Sequence, residues 1–327
     1  MDTKVNFAIS GCGNIAARHA LAATTYGKLA AVCDNDYQKA SVLANQFHCK
    51  AYSTLSEMLY KEKDIDVVSI CTPNYLHAPQ SITCLEADKH VLCEKPMAIT
   101  VTDAKAMVAA AQQAQKELFI VKQLRYYPGL FYIRELIQNG QLGKIYSFHI
   151  NCFWNRPPSY YKEWKGNKEK DGGTLFTQFS HYIDAIIWLF GYPQKENILK
   201  ANLAHPQVDF EDVGIVNFLM PNGSIGNLTY TVNAYNKNVE NSIAVFAENG
   251  SLKLSGAMLN RFEYFSIKNI DQIPDLFTTN TLKDQSHFAV YENLVNAIGG
   301  KKHSILKAAE SITSIELIER IYNNHNH

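Results

Sequence analysis

Two glycines and an alanine near the start of the chain have the spacing of a dinucleotide-binding turn. The stretch Gly11-Cys12-Gly13-Asn14-Ile15-Ala16 follows the apolar run 5–10 and opens a segment of helical periodicity. The first glycine allows a tight turn, the second lets a pyrophosphate approach the backbone, and the helix start offers unpaired N–H groups and a positive dipole. Alanine is accepted at the third position. We therefore predict cofactor contacts at Gly11, Gly13, Asn14 and Ile15.

An acidic residue ends the second apolar run of the chain. Asp34 follows "LAAVC" and lies about 20 residues beyond the glycines, where a carboxylate accepts hydrogen bonds from the adenosine ribose. A 2′-phosphate facing this carboxylate would be repelled, so the pattern predicts NAD rather than NADP. The alternative is a glycine turn in an α/β domain that binds no ligand.

Two further apolar runs also end in polar residues. "VVSIC" runs into Thr72-Pro73-Asn74 and then His77, whereas "HVLC" runs into Glu94-Lys95-Pro96, a charged pair where a strand ends. Open parallel sheets bind ligands beyond the carboxyl ends of their strands, so both tips should face the same crevice as Gly11. A surface turn followed by a helix cap is the alternative for the first of them.

Short apolar runs alternate with helical segments over the first 120 residues, and these elements would position the strand tips. This β-α series predicts a doubly wound parallel sheet, a Rossmann domain, over residues 1–123. After Gln123 come long alternating stretches, including one with Asn249-Gly250 as a hairpin turn. They predict an antiparallel sheet within a second α/β domain over 124–327. Helices are also expected at 130–139, 175–191, 286–298 and 306–322.

Composition excludes several classes of protein. The 327 residues suggest about two domains, and 31 basic residues balance 31 acidic ones. A neutral chain is not a general binder of nucleic acid or membrane surfaces, so an anionic ligand must be met by local positive charge. Neither a signal pattern nor a run of about 18 apolar residues occurs, so we expect a cytoplasmic protein. The seven cysteines form no ligand cluster, which predicts free thiols and no metal.

Four ordered motifs together resemble the glucose-fructose oxidoreductase/inositol dehydrogenase/rhizopine-catabolism (Gfo/Idh/MocA) family. They are "GCGNIAARH", "CTPNYLHAP", "CEKPMAIT" and "GGTLFTQFSHYID", and the resemblance covers essentially the whole chain. It implies a Rossmann domain, an α/β domain with a large, open, mainly antiparallel sheet, redox chemistry at a sugar-like secondary alcohol, and a homodimer or homotetramer. The expected cofactor site then adds Asp34, Thr72, Asn74, His77, Glu94, Lys95 and Gln123 to the glycine turn.

The resemblance also implies two catalytic residues. The lysine of the family's E-K-P motif matches Lys95, whose ammonium would hydrogen-bond the reacting hydroxyl and stabilise negative charge on its oxygen. The family's acid/base histidine aligns with His181, whose imidazole would take the alcohol proton as hydride leaves. A lysine ending a strand in solvent and a structural histidine in an apolar helix are the alternatives.

The chain departs from the family pattern four residues before that histidine. Thr177 replaces an aspartate and Gln178 follows it, so the Asp–His pair of inositol dehydrogenases is absent. "VKQLRYYP" and the stretch 161–178 instead look like the branch that oxidises the 3-hydroxyl of UDP-N-acetyl-glucosaminuronic acid. The loop 156–170 has five basic and two acidic residues, a net charge of +3 that suits a diphosphate and a uronate, although a solvated loop is the alternative. The expected substrate residues are Arg125 (a bidentate partner), Tyr126, Trp164, Lys165, Thr177 and Gln178.

The sequence therefore predicts an NAD-dependent dehydrogenase that oxidises the secondary hydroxyl on C3 of a nucleotide-linked sugar, with the hydride leaving from that carbon. A dehydrogenase of a free sugar or cyclitol and an NAD-dependent glycosidase on the same fold are alternative enzymes. A non-catalytic dinucleotide-sensing binding protein is the alternative from another class. Retention of both Lys95 and His181 argues against a sensor, since a sensor needs no proton acceptor.

Overall fold

The computed structural model describes residues 4–274 and 286–324. The chain divides into two compact units: Met1–Gln123 with Gln285–Ile315, and Leu124–Asp284 with Glu316–His327. No sequence pattern indicates that 285–315 belongs with the first unit. Within the described residues, none of the helices combines the length and apolar character that a membrane span requires.

The first unit contains a six-stranded sheet in the order β3-β2-β1-β4-β5-β6, with every neighbouring pair parallel. The order confirms the predicted Rossmann fold. Its apolar strands are buried on both faces, as parallel sheets covered by helices require. The strands are β1 (Asn6–Ser10), β2 (Lys28–Cys33), β3 (Lys50–Tyr52), β4 (Val67–Ile70), β5 (His90–Cys93) and β6 (Leu118–Ile120). The helices between them are α1 (Ala16–Tyr26), α2 (Tyr37–Phe47), α3 (Leu55–Lys61), α4 (His77–Glu86) and α5 (Val101–Ala114).

The second unit contains a seven-stranded sheet in the order β13-β12-β11-β7-β10-β9-β8. All neighbours are antiparallel except β10 and β7, so the predicted mainly antiparallel sheet is confirmed. The strands are β7 (Ile145–Phe153), β8 (Lys195–Ala201), β9 (Val213–Leu219), β10 (Ile225–Thr231), β11 (Glu240–Ala247), β12 (Gly250–Ser255) and β13 (Arg261–Ile267). The helices that precede β8 are α6 (Pro128–Gln138), α7 (Lys168–Asp171), α8 (Thr174–Thr177) and α9 (Ser180–Phe190).

Two local predictions need correction. Ala247 pairs with Gly250, so the hairpin turn is Glu248-Asn249 and Gly250 already belongs to β12. A Cβ at Gly250 would lie 2.7 Å from the Ser266 carbonyl oxygen, so this glycine serves the close approach of β13 rather than the turn. The single helix predicted over 175–191 is two helices, because the backbone leaves helical geometry between α8 and α9 at Phe179 (φ −112°, ψ 8°).

The seven-stranded sheet has one buried face and one exposed face. Phe148 is fully buried beneath the Phe190 ring of α9, at a centroid separation of 4.0 Å. Side chains alternate along each strand, so the residues between the buried positions form the opposite face. Exposed apolar side chains on that face include Leu199 (67%), Ile225 (61%) and Phe246 (44%).

Two helices close the chain. Helix α10 (Ser286–Ile298) packs on α1, and its Tyr291 ring lies 5.1 Å from that of Phe7 in β1. The Leu306 carbonyl then accepts a hydrogen bond from Ile120 N at 3.3 Å, extending the edge of the sheet beside β6. Helix α11 (Ala308–Asn323) begins in the first unit and ends in the second.

Candidate functional site

The turn after β1 has the shape that its glycine spacing predicts. Gly11 has a φ of +92°, and a Cβ there would lie 2.7 Å from Thr72 N, so the tip of β4 passes directly against the turn. Around Gly13, by contrast, no described atom outside its two chain neighbours lies within 4 Å of a Cβ position. Helix α1 follows with Ile15 at its N-cap and no side-chain cap. This leaves the positive end of the helix dipole to an anionic group, and the pyrophosphate of a dinucleotide fits it.

Asp34 lies at the carboxyl end of β2 and is oriented by the backbone. Its Oδ2 accepts a hydrogen bond from Cys12 N at 2.7 Å, and its Oδ1 accepts one from Asp36 N at 2.9 Å. These bonds tie the glycine turn to the tip of β2. Each carboxylate oxygen keeps further acceptor capacity, so the same group can still accept ribose hydroxyls.

His77 joins the tips of β4 and β5. Its Nδ1 lies 2.6 Å from the Pro96 carbonyl oxygen, and its Nε2 lies 2.8 Å from that of Thr72. Burial lowers the pKa of His77, and a neutral ring donates to only one of these carbonyls. Both nitrogens therefore face the backbone, and contact of this ring with the cofactor stays a prediction. Asn74 is buried in the 3₁₀ turn just before α4.

The E-K-P turn follows β5, and its Lys95–Pro96 peptide bond is cis. The buried Glu94 carboxylate receives hydrogen bonds at both oxygens. Oε1 lies 2.8 Å from His19 Nε2 and 3.4 Å from His287 Nε2, and Oε2 accepts from Lys95 N at 3.1 Å. Burial alone would raise the pKa of Glu94, but the bonds with His19 and His287 outweigh it and hold that pKa well below its usual value. The carboxylate is thus ionised at neutral pH, next to a half-buried Lys95.

His19, Glu94 and His287 also form a group that could hold a metal ion, since one ligand atom from each lies within 4.8 Å of the others. The 2.8 Å between His19 Nε2 and the Glu94 carboxylate is a hydrogen-bond distance, with a proton between the two atoms. No sequence motif joins these three residues. His19 ends the first motif and was detectable as a histidine on the apolar face of α1, whereas nothing in the sequence places His287 there.

In the second unit, Thr177, which replaces the family aspartate, is hydrogen-bonded to a different aspartate. Thr177 donates its hydroxyl to the carboxylate of the buried Asp171, which also accepts from Gly166 N at 2.8 Å. The structure therefore brings an acidic group to Thr177, which lies four residues before His181 in the chain. Asp171 was not among the predicted site residues, although it directly precedes the aligned Gly172.

Gln178 holds a basic loop residue in place. Its Oε1 accepts from Arg156 Nε at 2.9 Å, and its Nε2 donates to the Tyr160 hydroxyl at 2.5 Å. The Arg156 guanidinium lies over the rings of Trp154 and Tyr160, at 4.8 and 5.2 Å from their centroids. Arg156 was not predicted as a site residue, because its position depends on this contact across 22 residues.

Lys165 packs beside the same group. Its Nζ lies 4.2 Å from the Tyr160 ring centroid and 5.8 Å from that of Trp164. Burial lowers the pKa of Lys165, although the nearby Asp171 charge opposes that shift. Within the described part of the chain, neither Lys165 nor Arg156 lies within ion-pair distance of a carboxylate.

Arg125 forms an ion pair within the protein. Its Nε and Nη2 donate to the two carboxylate oxygens of the buried Asp184 at 2.8 and 2.9 Å. The Nε and Nη2 edge of this guanidinium is thus engaged by α9, and contact of Arg125 with a substrate anion stays a prediction. Gln123 and Tyr126 bound the 3₁₀ turn that contains Arg125, and both are half-buried.

Comparison with known families supports this description of both units. Residues 5–122 match an oxidoreductase family with an NAD-binding Rossmann fold, Gfo/Idh/MocA, and residues 134–327 match the C-terminal alpha/beta domain of that family. The resemblance predicted from the sequence is confirmed.

Three relatives illustrate the range of similarity. The WlbA dehydrogenase of Chromobacterium violaceum, solved with NADH and UDP-GlcNAcA, is 33% identical, with 98% of this chain and 94% of that one covered and a TM-score of 0.91. The 2,7-anhydro-N-acetylneuraminate hydratase of Escherichia coli is 29% identical over 76% of this chain and 67% of its own. The D-glucoside 3-dehydrogenase of E. coli is 27% identical over 96% of this chain and 93% of its own. The predicted NAD cofactor is confirmed.

Proposed function

Since the chain belongs to the Gfo/Idh/MocA oxidoreductase family and uses NAD, we propose that it oxidises the secondary hydroxyl on C3 of a UDP-linked N-acetylhexosaminuronate. The observation that carries the substrate class is the pair of half-buried cations beside Gln178. Arg156 and Lys165 rest on aromatic rings without a carboxylate partner among the described residues. Unneutralised positive charge held in a fixed geometry suits a diphosphate or a uronate.

We assign the proton chemistry to residues of this chain. His181 takes the hydroxyl proton, and Lys95 hydrogen-bonds the same oxygen while negative charge develops on it. NAD, when bound, supplies the hydride acceptor at nicotinamide C4. Gly11, Gly13 and Asp34 hold the dinucleotide through its pyrophosphate and adenosine ribose.

A homo-oligomer is part of the proposal. The exposed face of the seven-stranded sheet carries Leu199, Ile225, Phe246 and Tyr264, each at least 44% exposed. An apolar surface of this kind is typical of an interface between subunits. Measuring the mass in solution, before and after Ile225→Asp, tests this assignment. A wild-type monomer would contradict it.

The substrate class can be tested by binding alone. A UDP-N-acetylhexosaminuronate should bind at least tenfold more tightly than the free monosaccharide, since the diphosphate adds charge-assisted hydrogen bonds of roughly 1.5–3 kcal/mol each. Raising the salt concentration should weaken the UDP-sugar more than the free uronate, because the diphosphate adds charges that salt screens. Equal affinities, or affinities that salt does not change, would contradict the role of the cations.

A dehydrogenase of a free sugar or glycoside is the second candidate. Similarity to the D-glucoside 3-dehydrogenase over nearly the whole of both chains favours it. The two candidates differ in which compounds reduce bound NAD. A dinucleotide sensor, in turn, would bind NAD and turn over none of them.

A further inference from the structure

We propose that His19, His287 and Tyr291 are positioning residues for Lys95, acting through the carboxylate of Glu94. The inference rests on the proposed catalytic role of Lys95. All five residues belong to the first unit, although they come from α1, the turn that follows β5, and α10. What joins them is a continuous chain of buried hydrogen bonds.

The chain of hydrogen bonds begins in the centre of the parallel sheet. The Ser69 hydroxyl of β4 lies 2.7 Å from the Tyr291 hydroxyl, which lies 3.0 Å from His19 Nδ1. His19 Nε2 is 2.8 Å from Glu94 Oε1. Ser69, Tyr291 and His19 are fully buried. Buried polar networks specify one geometry when every member is satisfied, which is the arrangement here.

The direction of each hydrogen bond follows from the acceptor at its end. An ionised carboxylate only accepts, so His19 donates from Nε2 to Glu94. Burial lowers the pKa of His19, which favours the neutral ring, and a neutral ring that donates from Nε2 must accept at Nδ1. Tyr291 therefore donates to His19, and Ser69 donates to Tyr291. Each of these three groups therefore donates to the next one in the chain. The last of them, His19, donates to the ionised Glu94 carboxylate.

The network reaches the catalytic lysine through the second carboxylate oxygen. With Oε1 held by His19 and faced by His287, Glu94 has one orientation in which Oε2 accepts from Lys95 N at 3.1 Å. That bond fixes the peptide plane of Lys95 and hence the direction in which its side chain leaves the turn. A displacement of about 1 Å at a reacting group can cost roughly 100-fold in rate.

Tyr291→Phe is the cleanest test, because it removes one oxygen and keeps the ring against Phe7 and His19. We expect kcat for UDP-N-acetylglucosaminuronate to fall about tenfold with KM values within about twofold, since positioning acts on the transition state. His19→Leu should cost more. His19→Gln should stay within about threefold of wild type, because its amide can still donate to Glu94.

Tyr230→Phe is the matched control. Tyr230 is also fully buried, and its hydroxyl lies 3.0 Å from the Glu211 carboxyl in the second unit. It should lose a similar amount of thermal stability while kcat is unchanged. Equal losses of kcat in Tyr230→Phe and Tyr291→Phe would overturn the proposal.

A double-variant comparison tests whether the effect passes through the lysine. In a Lys95→Ala background, Tyr291→Phe should lower the residual kcat no further, because residues acting as a unit are not additive. A further tenfold loss in that background would contradict a role through Lys95.

A readout without substrate separates this inference from the proposed function. Reductive methylation of Lys95, followed by peptide mass spectrometry, should be faster in Tyr291→Phe than in wild type, and unchanged in Tyr230→Phe. If no UDP-sugar is oxidised, the proposed function fails while this measurement still decides the positioning role. Unchanged labelling in Tyr291→Phe would overturn it, as would a stoichiometric metal ion in purified protein that is lost in His19→Gln.

Discussion

Each unit buries a glutamate among hydrogen-bond donors, and the two glutamates have opposite pKa shifts. Glu94 faces two histidines and a backbone N–H, which hold its pKa well below the usual value despite burial. Burial raises the pKa of Glu211, and hydrogen bonds from Tyr322 and Tyr230 offset only part of that. Equal burial thus gives a charged group in one unit and a more easily protonated one in the other, depending on the donors.

The difference separates residues that serve chemistry from residues that serve packing. Glu94 directly precedes Lys95, and its charge is retained next to the nucleotide-binding strand tips. Glu211 lies between β8 and β9, where it joins Tyr230 of β10 to Tyr322 of α11. We therefore expect changes around Glu94 to alter turnover and changes around Glu211 to alter stability.

The largest effect should come from removing the proposed catalytic side chains. Lys95→Ala and His181→Ala should each lower kcat by about 100-fold or more, since a positioned acid/base group contributes at least that much. The affinity for NAD should stay within a few-fold, as measured by fluorescence titration. Full activity in His181→Ala would show that another residue accepts the proton.

Replacing the two buried glutamates tests the comparison itself. Glu94→Gln should lower kcat by about tenfold or more by loosening Lys95, whereas Glu211→Gln should leave kcat unchanged. Steady-state kinetics of both variants, with circular dichroism to verify folding, make the measurement. A loss of turnover in Glu211→Gln equal to that in Glu94→Gln would remove the distinction.

The same two variants should differ in how pH affects their stability. A lowered pKa gives Glu94 a stabilising contribution that is present above its unfolded value and lost as pH falls through its folded value. A raised pKa gives Glu211 a contribution that is present below its unfolded value and lost as pH rises through its folded value. Unfolding midpoints at about pH 3, pH 5 and pH 7.5 should therefore show a penalty for Glu94→Gln that is smaller at pH 3 than at pH 5. The penalty for Glu211→Gln should be larger at about pH 5 than at about pH 7.5. Parallel pH trends would contradict the assigned shifts.

Cofactor choice should depend on Asp34. NAD should bind at least about tenfold better than NADP, a difference of about 1.4 kcal/mol. Asp34→Ala should narrow this gap, because it removes the ribose acceptor and the repulsion of a 2′-phosphate together. Isothermal titration calorimetry with each dinucleotide measures the two affinities. Equal affinities in the wild type would contradict the assignment of Asp34 to the adenosine ribose.

The smallest effect should come from the basic loop. Lys165→Met should raise KM for a UDP-sugar by about fivefold with little change in kcat, as expected for loss of one charge contact of about 1 kcal/mol. Lys162→Met is the control, since Lys162 lies in the same loop but is exposed. Equal changes in KM for the two variants would argue for a general effect of charge.

Local patterns allowed much of the fold to be predicted. The glycine turn and the β-α alternation are set by neighbouring residues, so they could be read directly from the sequence. The hairpin turn was displaced by one residue, because the requirement for Gly250 comes from β13 and not from the turn itself. The break before α9 likewise has no glycine or proline to mark it.

The site was predicted less completely, because its supporting contacts join distant parts of the chain. His287 and Tyr291 reach the Glu94 region from almost 200 residues away, and no spacing rule connects them. The bidentate bond of Arg125 to Asp184 spans 59 residues, so the sequence pattern did not indicate it. Thr177 was noted as a missing acid, whereas the structure supplies the acid from Asp171.

The most direct test of the proposed activity is anaerobic mixing of NAD-loaded protein with single candidate substrates, followed by the absorbance of reduced nicotinamide. UDP-N-acetylglucosaminuronate should produce reduced nicotinamide, with none in His181→Ala over the same time. Reduction by inositol or a free aldose, and by none of the UDP-sugars, would contradict the nucleotide-sugar assignment and leave an oxidoreductase of a different sugar.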